Sequence, residues 1–497
     1  MYLIEKIKEN RELVFLAIIF LVAFIAKMYF LNQYYLIGGK DAGYYVYNIE
    51  DILETGLPSD TGGSPPVIFY YGAFLALIFG DAILAYKIGI ALLSAAIVFP
   101  IYLLTRYISK DKMIALFAAF LAGFSSANMR IMVDLLKNTG GLFFGVFFLY
   151  YFIKLIDEQS KKNIALTIIF FGLMLATHFS STAYITASIT PFLVLLPAYD
   201  FLTTKKISNS SKICLMSLAV IICAALGMNI IYPGLIDETS IGTIGIQELG
   251  AKQDMFSTSM YDTYGIFILL VIPGLYVLWK KDVRYFILFA GAMLVAIMLT
   301  QPLFVEQSWL WRFVLMSYVI IAPLSAIGVL FFKKRKSLMY LIIVIFSVYT
   351  LWMFVEIGAS NAFRPIIMEG EYSGLIKLNS EMPDAVLMGI RGADAYWFEA
   401  AGFIILDEPP EDMENVYFVD DGTGKKTPNG EVVEKIGRFT FIKIESLEPE
   451  GRCGDGICDS KEKCSFCKQD CPCDLPERPV CAPKAPDADI RGCVAPR

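Results

Sequence analysis

Gly38-Gly39-Lys40-Asp41-Ala42-Gly43-Tyr44-Tyr45 is the first polar, glycine-rich stretch after an apolar run, Leu13 to Leu31, that is long enough to cross a bilayer. Glycines let a backbone approach a ligand closely, and tyrosines offer flat faces ending in a hydroxyl. A carboxylate in that setting, Asp41, suits contact with a charged or sugar-bearing headgroup at the membrane surface. The same eight residues also suit a solvated loop beside interfacial tyrosines.

Working outward, the chain has 497 residues, of which 56% are hydrophobic, with a mean hydropathy of +0.58. Its apolar residues come in long runs, which excludes a soluble multidomain protein and defines an integral membrane protein. The net charge of -6 is segregated: basic residues sit between the apolar runs and acid is concentrated in the last third, so nucleic acid is not an expected partner. Lys6, Lys8 and Arg11 precede the first run, which is too long for a signal-peptide core and lacks a small-residue cleavage site; it reads as a retained span.

The loop from Gly38 closes at Ser64-Pro65-Pro66, and the apolar segment from Val67 to Phe79 is too short to cross, so it is expected along the outer interface. Further spans are expected over Ala82 to Tyr107, Met113 to Ala127, Gly140 to Leu155, Ile164 to Thr177 and Ala183 to Leu202. The series continues with Ile213 to Ile231, Tyr264 to Trp279, Tyr285 to Thr300, Trp311 to Phe332 and Leu338 to Ile357. With the first run this makes about 11 transmembrane helices.

Cytoplasmic loops retain Lys and Arg during insertion. Placing the N-terminus inside puts nineteen basic residues on inner segments and leaves five on the outer segments between spans: Lys40, Arg130, Lys137, Lys252 and Arg312. The expectation is a multi-pass cell-membrane protein with a cytoplasmic N-terminus. Asp41, Asp134, His178, Glu248 and everything beyond Ile357 then face outward, while Lys27 alone lies deep in a span.

Beyond Ile357 the pattern changes to short apolar strips, Ala385 to Met388, Phe403 to Leu406, Val416 to Val419 and Phe439 to Ile444, separated by Gly, Asp and Pro. These predict a small external α/β domain of about 90 residues. The expected division is a membrane domain over 1–357, an external α/β domain over 358–446, and a linker with a cysteine-rich tail over 447–497. Eight of the ten cysteines fall between Cys453 and Cys493. An even count outside the cell favours disulfides. Cys464-x-x-Cys467 has thiol spacing for zinc but no histidine with it, and Asp455, Asp459, Glu462 and Asp470 suit either calcium binding or solubilising charge.

The outer acidic groups carry the candidate chemistry, because hard divalent cations such as magnesium or manganese take oxygen ligands, several of them charged. Asp41, Asp134 and Glu248 are the candidate metal ligands. Asp134 lies four residues after Arg130 and three before Lys137, a spacing that equally suits a helix-surface ion pair. Glu248, with Asp237, Glu238 and Asp254 nearby, also fits a solvated loop. Arg312, after Trp309 and Trp311, suits bidentate phosphate binding or an interfacial anchor. His178, the sole histidine, cannot build a multi-histidine zinc centre and fits a hydrogen-bonded structural residue or a sugar-hydroxyl contact.

In Lys40-Asp41-Ala42-Gly43-Tyr44-Tyr45 with the following Leu53-Glu54-Thr55-Gly56-Leu57-Pro58, in the placing of Asp134, in Gly245-Ile246-Gln247-Glu248 and in Arg312-Phe313, the chain resembles the GT-C superfamily of polytopic glycosyltransferases. Within it, the resemblance is to archaeal and bacterial oligosaccharyltransferase catalytic subunits and simpler polyprenyl-phosphate-sugar-dependent relatives. It covers roughly residues 10 to 360, with Gly245 where the family has Thr or Ser and no Trp-Trp-Asp-Tyr-Gly motif.

The resemblance implies a GT-C-like fold and a membrane glycosyltransferase. It would use a sugar on a polyprenyl (dolichyl) phosphate or diphosphate and a lipid-linked or protein acceptor. It gives Asp41 the catalytic role, Asp41, Asp134 and Glu248 the cation, and Arg312 the lipid-linked phosphate; His178, Tyr44 and Tyr45 are read beside it as further substrate-binding candidates. The rival is a non-catalytic membrane protein or transporter with an external partner-binding domain. A transporter needs broken spans in pairs or charges near the midplane.

The charge count makes topology testable. A Gly422→Cys variant in intact cells should react with a membrane-impermeant maleimide above the wild-type background; labelling only after permeabilisation would invert the assignment and put the acidic loops in the wrong compartment.

Overall fold

A computed structural model describes residues 11–59, 65–231, 263–301, 305, 307–390, 392–406, 415–421 and 430–444. Glu248, the linker and the cysteine-rich tail lie outside the described residues. The chain divides into two compact units, Met1–Ser373 with Gly392–Ala401, and Gly374–Arg391 with Gly402–Arg497.

The first unit is helical. It opens with α1 (Arg11–Leu31), α2 (Ala42–Thr55), α3 (Val67–Phe79), α4 (Ala82–Ala96), α5 (Val98–Ser109), α6 (Lys112–Gly123), α7 (Ser126–Asp134) and α8 (Leu136–Glu158). It continues with α9 (Lys161–Thr177), α10 (Phe179–Thr204), α11 (Asn209–Ile231), α12 (Ile268–Lys281), α13 (Val283–Leu299), α14 (Gln307–Met316), α15 (Tyr318–Gly328) and α16 (Lys336–Gly358). Two more helices follow in the chain, α17 (Glu369–Glu381) and α18 (Ala393–Ala400).

All eleven expected runs fall on helical segments, yet among the described residues six helices have the length and composition to cross a membrane, or seven if the bent pair α6–α7 counts as one. Among the rest, α9 and α13 have 17 residues each, and α12 has 14, carries Pro273 and is preceded by a 3-10 turn over Gly265–Phe267.

Helix starts follow from short polar side chains satisfying the first free amides. Asp111 accepts from the N–H of Met113 and Ile114, Ser160 from Asn163, and Asp282 from Arg284. Position in the bundle follows from which faces are apolar. The segment Trp309–Phe332 is 89% buried over its most apolar window, whereas α1 and α16 are 22% buried and leave residues such as Leu21, Ile25, Val344 and Val348 exposed, as lipid-facing helices do.

Between apolar helices in lipid, close contact depends on small residues. A Cβ on Gly274 would lie 2.3 Å from the Leu324 carbonyl oxygen, and one on Gly328 would lie 2.1 Å from that of Leu270, so the two glycines let α12 and α15 touch backbone to backbone. Between α6 and α7 the axis bends by 42°.

The second unit is built on a five-stranded sheet of order β2-β1-β3-β5-β4: β1 (Val386–Met388), β2 (Ile404–Ile405), β3 (Val416–Asp420), β4 (Glu431–Ile436) and β5 (Phe439–Lys443). β1 runs parallel to β2 and β3, and β5 antiparallel to β3 and β4. The four apolar strips of the sequence form four of these strands. β4, Glu-Val-Val-Glu-Lys-Ile, has no strip because it is an exposed edge with Val432 59% accessible, where no alternation is imposed by a core.

Gly328→Ala should lower the thermal midpoint in detergent, with an overpacking cost of about 1–3 kcal/mol. Gly172, with no atom within 4 Å of where a Cβ would sit, should tolerate Ala without loss. Equal midpoints for the two variants would remove the close-contact account of α12 and α15.

Candidate functional site

Asp41 stands at the N-cap position of α2 with φ -96° and ψ 2°, but its side chain makes no capping bond. The loop before it reaches across the bundle. Gly39, at φ +94°, passes so close to the end of α7 that a Cβ would lie 2.5 Å from the Val133 carbonyl oxygen and 2.9 Å from Asp134 Oδ1. A Cβ on Gly38 would meet the Phe363 carbonyl at 2.4 Å. Only glycine fits either position. This threading lets the Lys40 N–H donate to Asp134 Oδ1 at 3.4 Å.

Asp134 is the last residue of α7 and 6% exposed; its Oδ2 pairs with Arg130 Nη2 at 2.8 Å. The ion-pair reading of its sequence spacing is therefore present for Arg130. Lys137 goes elsewhere. From the first turn of α8 its Nζ donates to the Tyr44 hydroxyl at 2.7 Å and lies 5.0 Å from the centre of the Phe69 ring, while its backbone N–H donates to the Tyr45 hydroxyl at 3.3 Å. Tyr44 and Tyr45 are both buried, and Tyr45 stacks on Tyr86 at 5.4 Å.

Arg312, on α14, lays its guanidinium 4.3 Å from the centre of the Trp309 ring and 5.6 Å from that of Trp311; its buried Nε has no hydrogen-bond partner among the described residues. His178 caps α10. Its Nδ1 accepts the Ser181 N–H at 3.2 Å, which places the ring proton of the neutral form on Nε2. Burial first, then the charges of Lys137 and Arg312, push its pKa down to about 3, so it is neutral at physiological pH.

These charges act on one another. Burial raises the Asp41 carboxyl from 3.8 to about 6; Arg312 opposes that, Asp134 adds to it, and Lys137 and Lys40 oppose it. Asp41, Asp134, Tyr44 and Tyr45 are thus brought together with Lys137, and the fields of Arg312 and His178 belong to the same neighbourhood. Among the described residues no three His, Cys, Asp or Glu side chains are grouped to hold a metal ion.

Sequence reasoning missed three contributors. Lys137 was legible only as a partner for Asp134, and Phe69 only as part of an interfacial helix. The third is α18, which belongs to the first compact unit although it follows β1 in the chain. Its Tyr396 ring lies 5.0 Å from Tyr44, and its fully buried Trp397 covers Gly43, where a Cβ would lie 3.0 Å from the indole. Its Tyr-Trp-Phe run is the only hint, and it does not say which helix it covers.

A family model described as dolichyl-phosphate-mannose-protein mannosyltransferase matches residues 63–229, a stretch that holds Asp134, Lys137 and His178 but begins after Asp41. Among solved structures, the chain is similar to the Archaeoglobus fulgidus oligosaccharyltransferase, crystallised in complex with zinc and sulfate. The likeness has 15% identity and a TM-score of 0.52, over 78% of this chain and 62% of that one. A comparison with curated proteins finds no match.

The likeness shows the fold, and the family match spans 63–229 of the 497 residues. The chain spans about 62% of the length of that oligosaccharyltransferase.

A carboxyl whose folded pKa is raised gives stability that is complete below its unfolded pKa and lost as pH rises through about 6. Asp41→Asn, measured in chelator, should therefore melt above wild type at pH 8, with the difference gone by about pH 4. An Asn variant less stable than wild type at pH 8 would mean that Asp41 is held by partners rather than desolvated.

Proposed function

We propose that this protein transfers a sugar from a polyprenyl (dolichyl) phosphate or diphosphate to a lipid-linked or protein acceptor on the external face of the membrane. About eleven segments of the chain would be embedded, with the N-terminus in the cytoplasm. The observation that carries the reading is the convergence of two acidic side chains, Asp41 and Asp134, with Lys137 and Arg312, from elements far apart in the chain.

In this reading Asp41 takes the proton of the acceptor nucleophile. The acceptor forms a bond to the anomeric carbon, the bond from that carbon to the phosphate oxygen breaks, and the electron pair leaves with the lipid phosphate. A base with a pKa of about 6 is ionised at neutral pH yet basic enough to accept the proton. Arg312 and Lys137 supply positive charge where the phosphate develops its own, which matters most in the transition state. Arg312 suits this because its Nε has an unused donor among the described residues and its plane is already held by two tryptophans. Tyr44 is oriented by Lys137 for a substrate contact, and the Nε2–H of His178 is a neutral donor for a sugar hydroxyl.

A magnesium or manganese ion fits the donor chemistry: Asp41 and Asp134 offer carboxylate oxygens, and the buried Asp134 Oδ2 meets the Arg130 charge without receiving an aligned hydrogen bond among the described residues. Asp41 and Asp134 would hold the ion and Glu248, outside the described residues, would complete the set. The ion would neutralise the departing phosphate. In the tail, the eight cysteines would be paired, with calcium a further candidate ligand of its acidic residues.

The test is release of lipid phosphate from a dolichyl-phosphate-linked sugar by membranes containing the full chain. Asp41→Asn keeps size and hydrogen bonding but removes the charge, and should slow release by about 10²- to 10⁴-fold. Near-wild-type release by well-folded Asp41→Asn would end the catalytic assignment.

A further inference from the structure

Lys27 is the charged residue that the mechanism leaves unused. It lies on α1, inside an apolar span, with 0% exposure, and among the described residues no carboxylate pairs with it. An ionisable side chain in such a place is costly and is kept where it does something. Its Nζ donates to Ser94 Oγ on α4 at 2.7 Å, and Ser94 Oγ donates to Asn128 Oδ1 on α7 at 2.9 Å. The Asn128 amide nitrogen then donates to two carbonyl oxygens, Ser94 and Ala122, each at 3.0 Å. Ser94 and Asn128 are as fully buried as Lys27.

The direction of these bonds is consistent from end to end. Lys27 Nζ donates, and each successive group passes the polarity on until it reaches the carbonyl of Ala122, one residue from the end of α6. The last carbonyls of a helix lack intrahelical donors and carry partial negative charge. The chain of bonds from Lys27 thus ends on the last turn of α6, at a carbonyl that also accepts from the Phe124 and Ser125 N–H. Close approach makes this reachable: a Cβ on Gly123 would lie 2.8 Å from Val98 Cγ1 and 3.7 Å from Ala23 Cβ, and Ala23 is one turn before Lys27 on α1.

The carbonyl at Ala122 and the amide of Asn128 sit on either side of the 42° bend between α6 and α7, and α7 ends in Asp134. We infer that Lys27, Ser94 and Asn128 form a positioning device that fixes this bend and so the direction in which α7 presents Asp134 to the Lys40 backbone and Asp41. The inference rests on the proposed function for its effect on turnover, but not for its effect on the bend. Lys27 is a positioning residue, since it touches α7 only through Ser94 and Asn128.

The experiment uses the full chain in lipid nanodiscs and compares wild type, Lys27→Met, Ser94→Ala and Asn128→Leu. Hydrogen exchange should quicken by about tenfold in peptides over 124–134 and stay unchanged in α9 and α10. Release of lipid phosphate from dolichyl-phosphate-linked mannose should show a kcat lowered by about tenfold with the donor KM within about twofold. The double variant Lys27→Met with Ser94→Ala should be no worse than either single one, as members of one chain are not additive. Lys27→Gln, which keeps a donor, should recover most of both readouts. Faster exchange throughout the bundle, or no change over 124–134, would overturn the inference. If wild type releases no lipid phosphate, mannose is not its donor sugar, while the exchange comparison still decides this inference. Should Lys27→Met fail to fold, the smaller Ser94→Ala change carries the same comparison.

Discussion

The contact of the Lys40 amide with the Asp134 carboxylate, made between residues 94 positions apart, ties the first polar loop to the end of a broken span. Everything around the candidate site depends on that approach. It needs the absence of a side chain at Gly39, where any Cβ would strike Val133, and at Gly38, where it would strike Phe363. With the loop so held, α2 starts at Ala42 and Asp41 is left at its mouth without a capping duty.

The site's electrostatics follow from where its charges are buried. A single carboxylate taken out of water would give up its charge, and two near each other would do so more readily. Here Arg130 pairs directly with Asp134, whereas Asp41 has no such bond among the described residues and feels Arg312, Lys137 and Lys40 through space. Burial raises both carboxyls, but Asp134 keeps a direct ion pair while Asp41 is met only by charges at a distance.

The bundle supplies rigidity by the means open to apolar helices, which is close packing through small residues and satisfied polar groups. Gly274 and Gly328 bring α12 and α15 into backbone contact beside the helix that carries Arg312, and Gly141 lets α8 meet Ser181 and hence the His178 cap. Trp397 performs the same service from the opposite direction in the chain, closing over Gly43. Flexible placement of any of these would blur a site whose working parts come from α2, α7, α8, α10 and α14.

The sequence by itself determined the helical membrane class, the positions of the apolar runs, four of the five strands and Asp41, Asp134, Tyr44, Tyr45, His178 and Arg312 as the residues to examine. These were legible because hydrophobic run length and loop polarity are local properties written along the chain. Helix length was less so, since breaks such as the one after Gly123 depend on what packs beside them. Only the tertiary structure decided that Lys137 serves Tyr44 rather than Asp134, that Lys27 is linked through Ser94 and Asn128 to the last turn of α6, and that α18 returns to cover α2. Such pairings are chosen by distance in space and by competition for buried donors and acceptors, and neither leaves a period in the sequence.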